Sequence, residues 1–247
     1  MSASLPVPDL TGRRVLVPGG TGGVGEGVVR AYLAAGADVV VPTRSDARGQ
    51  QLRDALGPVA DTPRLHLPTH DATTFAGAEE LGAQMQARLG GIDNVVAPIG
   101  GWWHGGPLTA IGEADWADAF VGLATAHMAL ARSVVPRLSG AGAYVVVVGQ
   151  SAEFPVPGSG LVSMEQAAVL MMQRVLAAES PDRRILAFVL GAVRTRFADP
   201  GAEAVSSDEV GAAAVATSGS ADALSGAVSL GSSAEALAYV RGLAPAA

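Results

Sequence analysis

Short runs of β-branched residues alternate with longer Ala- and Leu-rich segments of helical period along nearly the whole chain, and few architectures accept that order. A strand, a helix and a further strand in succession return the chain in parallel, so repetition builds one parallel sheet covered by helices on both faces. The predicted strands are Arg14–Val17, Asp38–Pro42, Arg64–Leu67, Asn94–Ala97, Ala143–Val148, Ile185–Leu190 and Gly226–Leu230. Helices are predicted over Gly23–Ala35, Ala47–Leu56, Ala76–Leu89, Glu113–Leu138 and Ser163–Glu179. The stretch Thr195–Gly219 is rich in small residues and poorly patterned, and reads either as a mobile lobe over a ligand cleft or as a plain surface loop. No linker or repeat divides residues 1–247, so one α/β domain of about seven strands is expected.

Charge and composition exclude several functions. The formal charge is −7 with no basic run, which argues against nucleic acid. No apolar stretch in the sequence reads as long enough for a bilayer, and the N-terminus lacks a signal peptide's apolar segment, so a cytoplasmic protein without a membrane partner is expected. There is no cysteine, which removes disulfides and thiolate chemistry, and no His/acid set has metal-ligand spacing. All 16 basic residues are arginine; there is no lysine.

Between the first strand and first helix, "VPGGTGGVG" places Gly19, Gly23 and Gly25 around Thr21 and Val24. Glycines there let backbone approach a pyrophosphate, while the helix start offers free N–H groups and a positive dipole end. With this context the order of landmarks resembles the short-chain dehydrogenase/reductase family from about Leu10 to about Gly231. The family's T-G-x-x-x-G-x-G appears with Pro18 replacing the threonine. Its adenine-contacting aspartate matches Asp71, and its N-N-A-G is reduced to Ala97-Pro98-Ile99-Gly100. Its P-G-x-x-x-T keeps Gly191 and Thr195, with Leu190 replacing the proline. The resemblance implies a single Rossmann-type doubly wound domain, a small-molecule substrate and a homodimer or homotetramer.

After the second strand stand Thr43 and Arg44, where a site selective for NAD(H) would present a carboxylate to the ribose 2′-hydroxyl. Arginine pairs with a 2′-phosphate, so NADP(H) is favoured over NAD(H).

The catalytic pattern fails at every place. Registered through "PVPG" and the following helix, Val162 takes the position of the family's tyrosine and Gln166 that of its lysine. Gly149 takes the serine position and Leu123 the asparagine position. The tyrosines Tyr32, Tyr144 and Tyr239 have no route to the cleft. Valine transfers no proton, and glutamine carries no charge to tune a neighbour, although Gln166 retains hydrogen bonds for a ribose.

Replacement groups are therefore expected on the loop "GGWWHGG" and on the turn after the fifth strand. Trp102 or Trp103 is expected to stack on a ligand, with Trp103 named for the catalytic set. His104 is a candidate acid, and Gln150 or Ser151 a hydrogen-bonding partner for a substrate oxygen. Glu153 is a candidate base, His127 a helix-packing histidine, Glu165 a stabiliser of the first helical turn, and His66 and His70 structural. Three functions remain open: an atypical NADP-dependent oxidoreductase for an activated substrate, a non-catalytic dinucleotide sensor or silent partner subunit, and a non-redox lyase, isomerase or cyclase.

Overall fold

The computed structural model describes residues 7–244. Seven strands form one parallel sheet: β1 (Arg14–Leu16), β2 (Asp38–Val40), β3 (Leu65–His66), β4 (Ile92–Ala97), β5 (Leu138–Gly149), β6 (Arg184–Leu190) and β9 (Gly226–Leu230), in the order β3-β2-β1-β4-β5-β6-β9. A minor parallel pair, β7 (Val193–Arg194) and β8 (Val205–Ser206), lies in the lobe beyond β6. The order reverses between β1 and β4. There the connections leave in opposite directions and open a crevice at the carboxyl ends of the strands.

Period-two alternation splits the core into two layers. Val15, Val17, Val145 and Val147 point to one face, under α1 (Gly23–Ala34), α7 (Ser207–Gly219) and α8 (Ser233–Leu243). Leu16, Val95, Val146 and Val148 point to the other, under α3 (Phe75–Leu89), α5 (Leu123–Val134) and α6 (Gly160–Glu179). The remaining α2 (Asp46–Leu56) is capped by Ser45, whose side chain accepts from the Arg48 amide, and α3 by Thr74, which accepts from the Gly77 amide. At the end of the sheet opposite the crevice, Arg14 grips Asp93 with two guanidinium contacts of 2.7 and 2.8 Å, joining β1 to β4.

Four expectations need correction. The Thr195–Gly219 stretch is not pattern-free: β8 leads into α7 through a capping box in which Ser206 and Glu209 satisfy each other's backbone amides. A further helix, α8, follows Ser232, whose side chain accepts from the Glu235 amide. The single helix over Glu113–Leu138 is instead α4 (Glu113–Trp116), a π-helical turn over Ala117–Gly122, α5, and a 3₁₀ turn at Val135–Arg137. Pro136 lacks the N–H needed to continue the helix, and Leu138 already pairs with Ile92 as the start of β5. By length and composition alone, this run from Glu113 to Arg137 is long and apolar enough to cross a membrane, with a mean hydropathy of 1.3 in its most apolar window. Half of that window is buried against protein, with Leu130 and Val134 in the core layer shared with α3 and α6.

Candidate functional site

The crevice holds two adjoining cavities of about 480 and 430 Å³, both bordered by Gly22, Pro98, Ile99 and Gly100. Their floor depends on glycine. Gly19 has φ +86°, and a Cβ there would lie 2.4 Å from the Pro98 carbonyl oxygen; a Cβ on Gly25 would lie 2.3 Å from the Gly19 oxygen. Only backbone fits, so the loop seats α1 against β4 and leaves the helix start facing the cavities. Gly23 differs, because a Cβ there would meet Thr195 and Phe197 of the lobe at 3.0 to 3.1 Å.

The larger cavity is bounded by Thr21, Arg44, Arg48 and His70 from the β1–β3 side and by Asp118 and Leu123 from the π-turn and α5. Arg44 and Arg48 are both exposed there. Asp71 does not border it. The Asp71 carboxylate accepts from the Thr73 amide at 3.0 Å and from the Thr73 hydroxyl at 2.6 Å, which hold it below the usual carboxylate range, helped by the nearby Arg44 charge. His70 receives a structural role as expected: its Nε2 lies 2.7 Å from the Gly77 carbonyl at the start of α3, although its ring also borders the cavity.

The second cavity is bordered by Val24, Gly25, Gly149, Gln166, Gly191 and Thr195, together with the exposed rings of Trp102 and Phe197. No acidic, basic, histidine or tyrosine side chain is among its lining residues. Gln166 is fixed by its oxygen, which accepts from the Gly149 amide at 2.6 Å and from the Ser151 hydroxyl at 2.9 Å. Its amide nitrogen remains as the donor at the cavity wall. Ser151 spends its proton on Gln166 and is left with acceptor capacity. Val162 is buried at 1% exposure, and Tyr32 and Tyr144 are fully buried.

The tryptophan loop resolves differently from the expectation. Trp102, 67% exposed, borders the cavity, whereas Trp103 does not. The Trp103 ring folds back over Gly105, where a Cβ would lie 2.4 Å from it, and its indole N–H donates to Asp115 at 3.4 Å. His104 turns toward α6, with Nδ1 3.4 Å from the Ser159 hydroxyl and its ring against Gly158. Gln150 reaches over Gly231 at the end of β9. Ala97 is fully buried within β4, and the cavity surface begins at Pro98. The crevice thus brings together Thr21, Val24, Gly25, Arg44, Gly100, Gln166, Gly191 and Thr195, and leaves His104, Trp103, Gln150 and Ser151 outside its lining.

Behind the crevice lies a buried pair. His127 Nε2 is 3.1 Å from the Ile99 carbonyl and 3.9 Å from Glu165 Oε1, and the two residues are 1% and 2% exposed. Burial pushes Glu165 up to about 7 and His127 down to about 4, so at neutral pH the imidazole is uncharged and its Nε2–H donates to Ile99. Because α6 begins at Gly160, Glu165 lies beyond the first turn, and its burial replaces the expected stabilisation of the helix end.

This fold and this crevice define a doubly wound dinucleotide-binding domain. The chain belongs to the short chain dehydrogenase family, whose profile matches residues 13–205. It is 33% identical over 150 residues to a probable oxidoreductase of Streptomyces antibioticus, covering 60% of this chain and 49% of that protein. A short chain dehydrogenase of Pseudocercospora fijiensis is 28% identical over 199 residues, covering 77% of this chain and 63% of that protein. The chain therefore spans about half to under two thirds of the length of these relatives. In fold it matches a short chain oxidoreductase of Pseudomonas aeruginosa, described as containing an atypical catalytic center, with a TM-score of 0.80 at 20% identity over 90% of this chain and 97% of that one. Members of this family bind a nicotinamide dinucleotide, and the glycine floor, the facing start of α1 and the two continuous cavities fit one.

Proposed function

We propose that this chain is an NADP(H)-binding oxidoreductase that acts on an activated small molecule without a tyrosine–lysine acid–base pair. The observation that carries the reading is the lining of the second cavity: glycine, aliphatic and aromatic groups, with Gln166 and Thr195 as its polar side chains and no group that titrates. When bound, the dinucleotide supplies a hydride from its nicotinamide ring.

The residues divide by cavity. Arg44 and Arg48 border the larger one and suit a 2′-phosphate, with Thr21 on the same wall. Gln166 presents its amide to a ribose hydroxyl, held by Gly149 and Ser151. Val24, Gly191 and Thr195 shape the place of the nicotinamide. With no lining group to give a proton, a substrate must accept a hydride unaided: an iminium becomes a neutral amine, and an enone becomes an enolate that takes its proton from solvent, while the chain contributes orientation. The reading places the protein in the cytoplasm as a homo-oligomer. The exposed Met128 of α5 and Met164, Met171 and Val175 of α6 support an interface between copies.

Calorimetric titration with NADPH and NADH, followed by NADPH consumption with enone and iminium substrates, tests this. Tighter binding of NADPH with turnover of an activated substrate is expected. Binding without turnover of any of them favours a dinucleotide sensor or silent partner subunit; product without NADPH consumption favours a lyase or isomerase.

A further inference from the structure

The start of α1 is tied to the lobe beyond β6 by contacts that the cofactor reading does not use. Glu26, in the first turn of α1, is 7% exposed, and its carboxylate accepts from Arg196 Nε at 2.6 Å and from Arg30 Nη2 at 2.9 Å. The Arg196 guanidinium lies 4.0 Å from the centroid of the Phe197 ring. That ring is 63% exposed, borders the second cavity together with Trp102, and sets its edge against Gly23. The backbone beneath is fixed as well: the Phe197 amide donates to the Thr195 hydroxyl at 3.1 Å, and the Thr195 amide to the Ala198 carbonyl at 2.9 Å.

An exposed phenyl ring has little burial to hold it, so its place depends on the cation stacked on one face. Arg196 is itself held by a carboxylate that is nearly buried, an ion pair stronger than a fully solvated one. Its charge is therefore matched within the protein and is not free as a counter-ion for a ligand. A charged substrate group entering this cavity would lose water and find no lining charge in return. Two aromatic rings at the same cavity favour a flat partner.

We propose that Glu26 and Arg196 are positioning residues for substrate selection: they hold the Phe197 ring at the mouth of the second cavity, where with Trp102 it selects a flat, uncharged substrate. This rests on the reading that the substrate occupies the Phe197 end of the crevice beside the nicotinamide.

The test is calorimetric binding of 1,4-naphthoquinone, a flat uncharged probe, to protein saturated with NADP+, and of 2-naphthamide and its charged counterpart 2-naphthoate to protein saturated with NADPH, whose nicotinamide ring carries no charge. The chain has no cysteine or lysine for the quinone to alkylate. With NADPH bound, 2-naphthamide should bind at least about tenfold more tightly than 2-naphthoate. Arg196→Gln should weaken naphthoquinone by roughly fivefold to tenfold, with Arg196→Lys between it and the unmutated protein. Glu26→Gln should act in the same direction. In a Phe197→Ala background, Arg196→Gln should cost nothing more, because the ring it positions is gone. NADP+ affinity should stay within about twofold in the Arg196 variants, since their effect is on the ring.

If NADP+ binds but Arg196→Gln leaves naphthoquinone affinity unchanged, or its effect adds in full to that of Phe197→Ala, the positioning role is wrong. Equal affinity of 2-naphthamide and 2-naphthoate for the NADPH complex, or no binding of naphthoquinone, overturns the substrate class. Failure of NADP+ itself to bind is read in the first titration; it refutes the cofactor reading and this inference with it.

Discussion

Glu165→Gln should leave stability nearly unchanged in acid and raise it at alkaline pH. Glu165 is 2% exposed, and burial lifts it from an ordinary 4.5 to about 7. Between those values the unfolded chain has released a proton that the folded chain retains, so the Glu165 contribution to stability falls as pH rises through the window. At about 1.4 kcal/mol per pH unit, the loss is about 3 kcal/mol by pH 8. His127 has the opposite sign. Lowered from 6.5 to about 4, it is uncharged in the folded chain while the unfolded chain still holds a proton, so its contribution rises from pH 4 to 6.5 by a similar amount. The two slopes cancel where the windows overlap, and the unmutated protein hides both.

Glutamine keeps the shape of the neutral acid. The variant should therefore match the unmutated protein at pH 4.5 and exceed it by about 3 kcal/mol at pH 8, roughly 6–12 °C in melting temperature for a domain of this size. His127→Gln should show the mirror image, an advantage near pH 4 that is gone by pH 6.5. Thermal and urea unfolding from pH 4 to 8.5 at constant ionic strength reads both. A Glu165→Gln advantage that is constant with pH would refute the argument, because the carboxyl would then not be holding its proton.

NADPH should bind about tenfold or more tightly than NADH, and Arg44→Ala should remove most of that preference; equal affinities in the unmutated protein by calorimetry reject the assignment. Simple ketones and aldehydes should be reduced about 10²–10⁴-fold more slowly than is usual for enzymes with a positioned acid, measured as NADPH consumption. Ordinary rates would mean that an unrecognised donor reaches the cavity. Light scattering at micromolar concentration should report a dimer or tetramer, and Met171→Glu, at a position 53% exposed on α6, should shift it toward monomer. A monomeric unmutated protein would contradict this.

The sheet was legible because its signal is local. Each strand is a run whose alternate residues meet opposite layers, as Val145 and Val146 do, and the weak last strand was read with the bounds the structure gives, Gly226–Leu230. The lobe stretch borders the crevice through Thr195 and Phe197, and the helix within it has a local signal that the expectation of a poorly patterned segment passes over. Both "SSDE", from Ser206 to Glu209, and "SSAE", from Ser232 to Glu235, have a serine three residues before a glutamate, the mark of a helix start. The Ala-rich α7 has almost no amphipathic contrast, so periodicity gave no second sign there. Pro136 likewise marked the end of the long helical run, but the π-turn inside it left no trace in sequence.

The site was legible only where a residue's neighbours along the chain decide its direction. Arg44 follows β2 and Gln166 sits on α6, both elements beside the crevice, and both side chains border it. The tryptophan pair follows Gly100, whose φ of +140° favours glycine, and of the two rings Trp102 borders the cavity and Trp103 does not. The Glu26–Arg196 contact joins residues 170 positions apart, so no local pattern in the sequence announces it, although Glu26 lies in the first turn of α1 where a carboxylate complements the helix dipole. Folding gives the same side chain a second use. The turn that presents backbone amides to the crevice also anchors, through Arg196, the ring at its far end. A substitution at Glu26 is therefore expected to change what enters the second cavity more than how the dinucleotide is held.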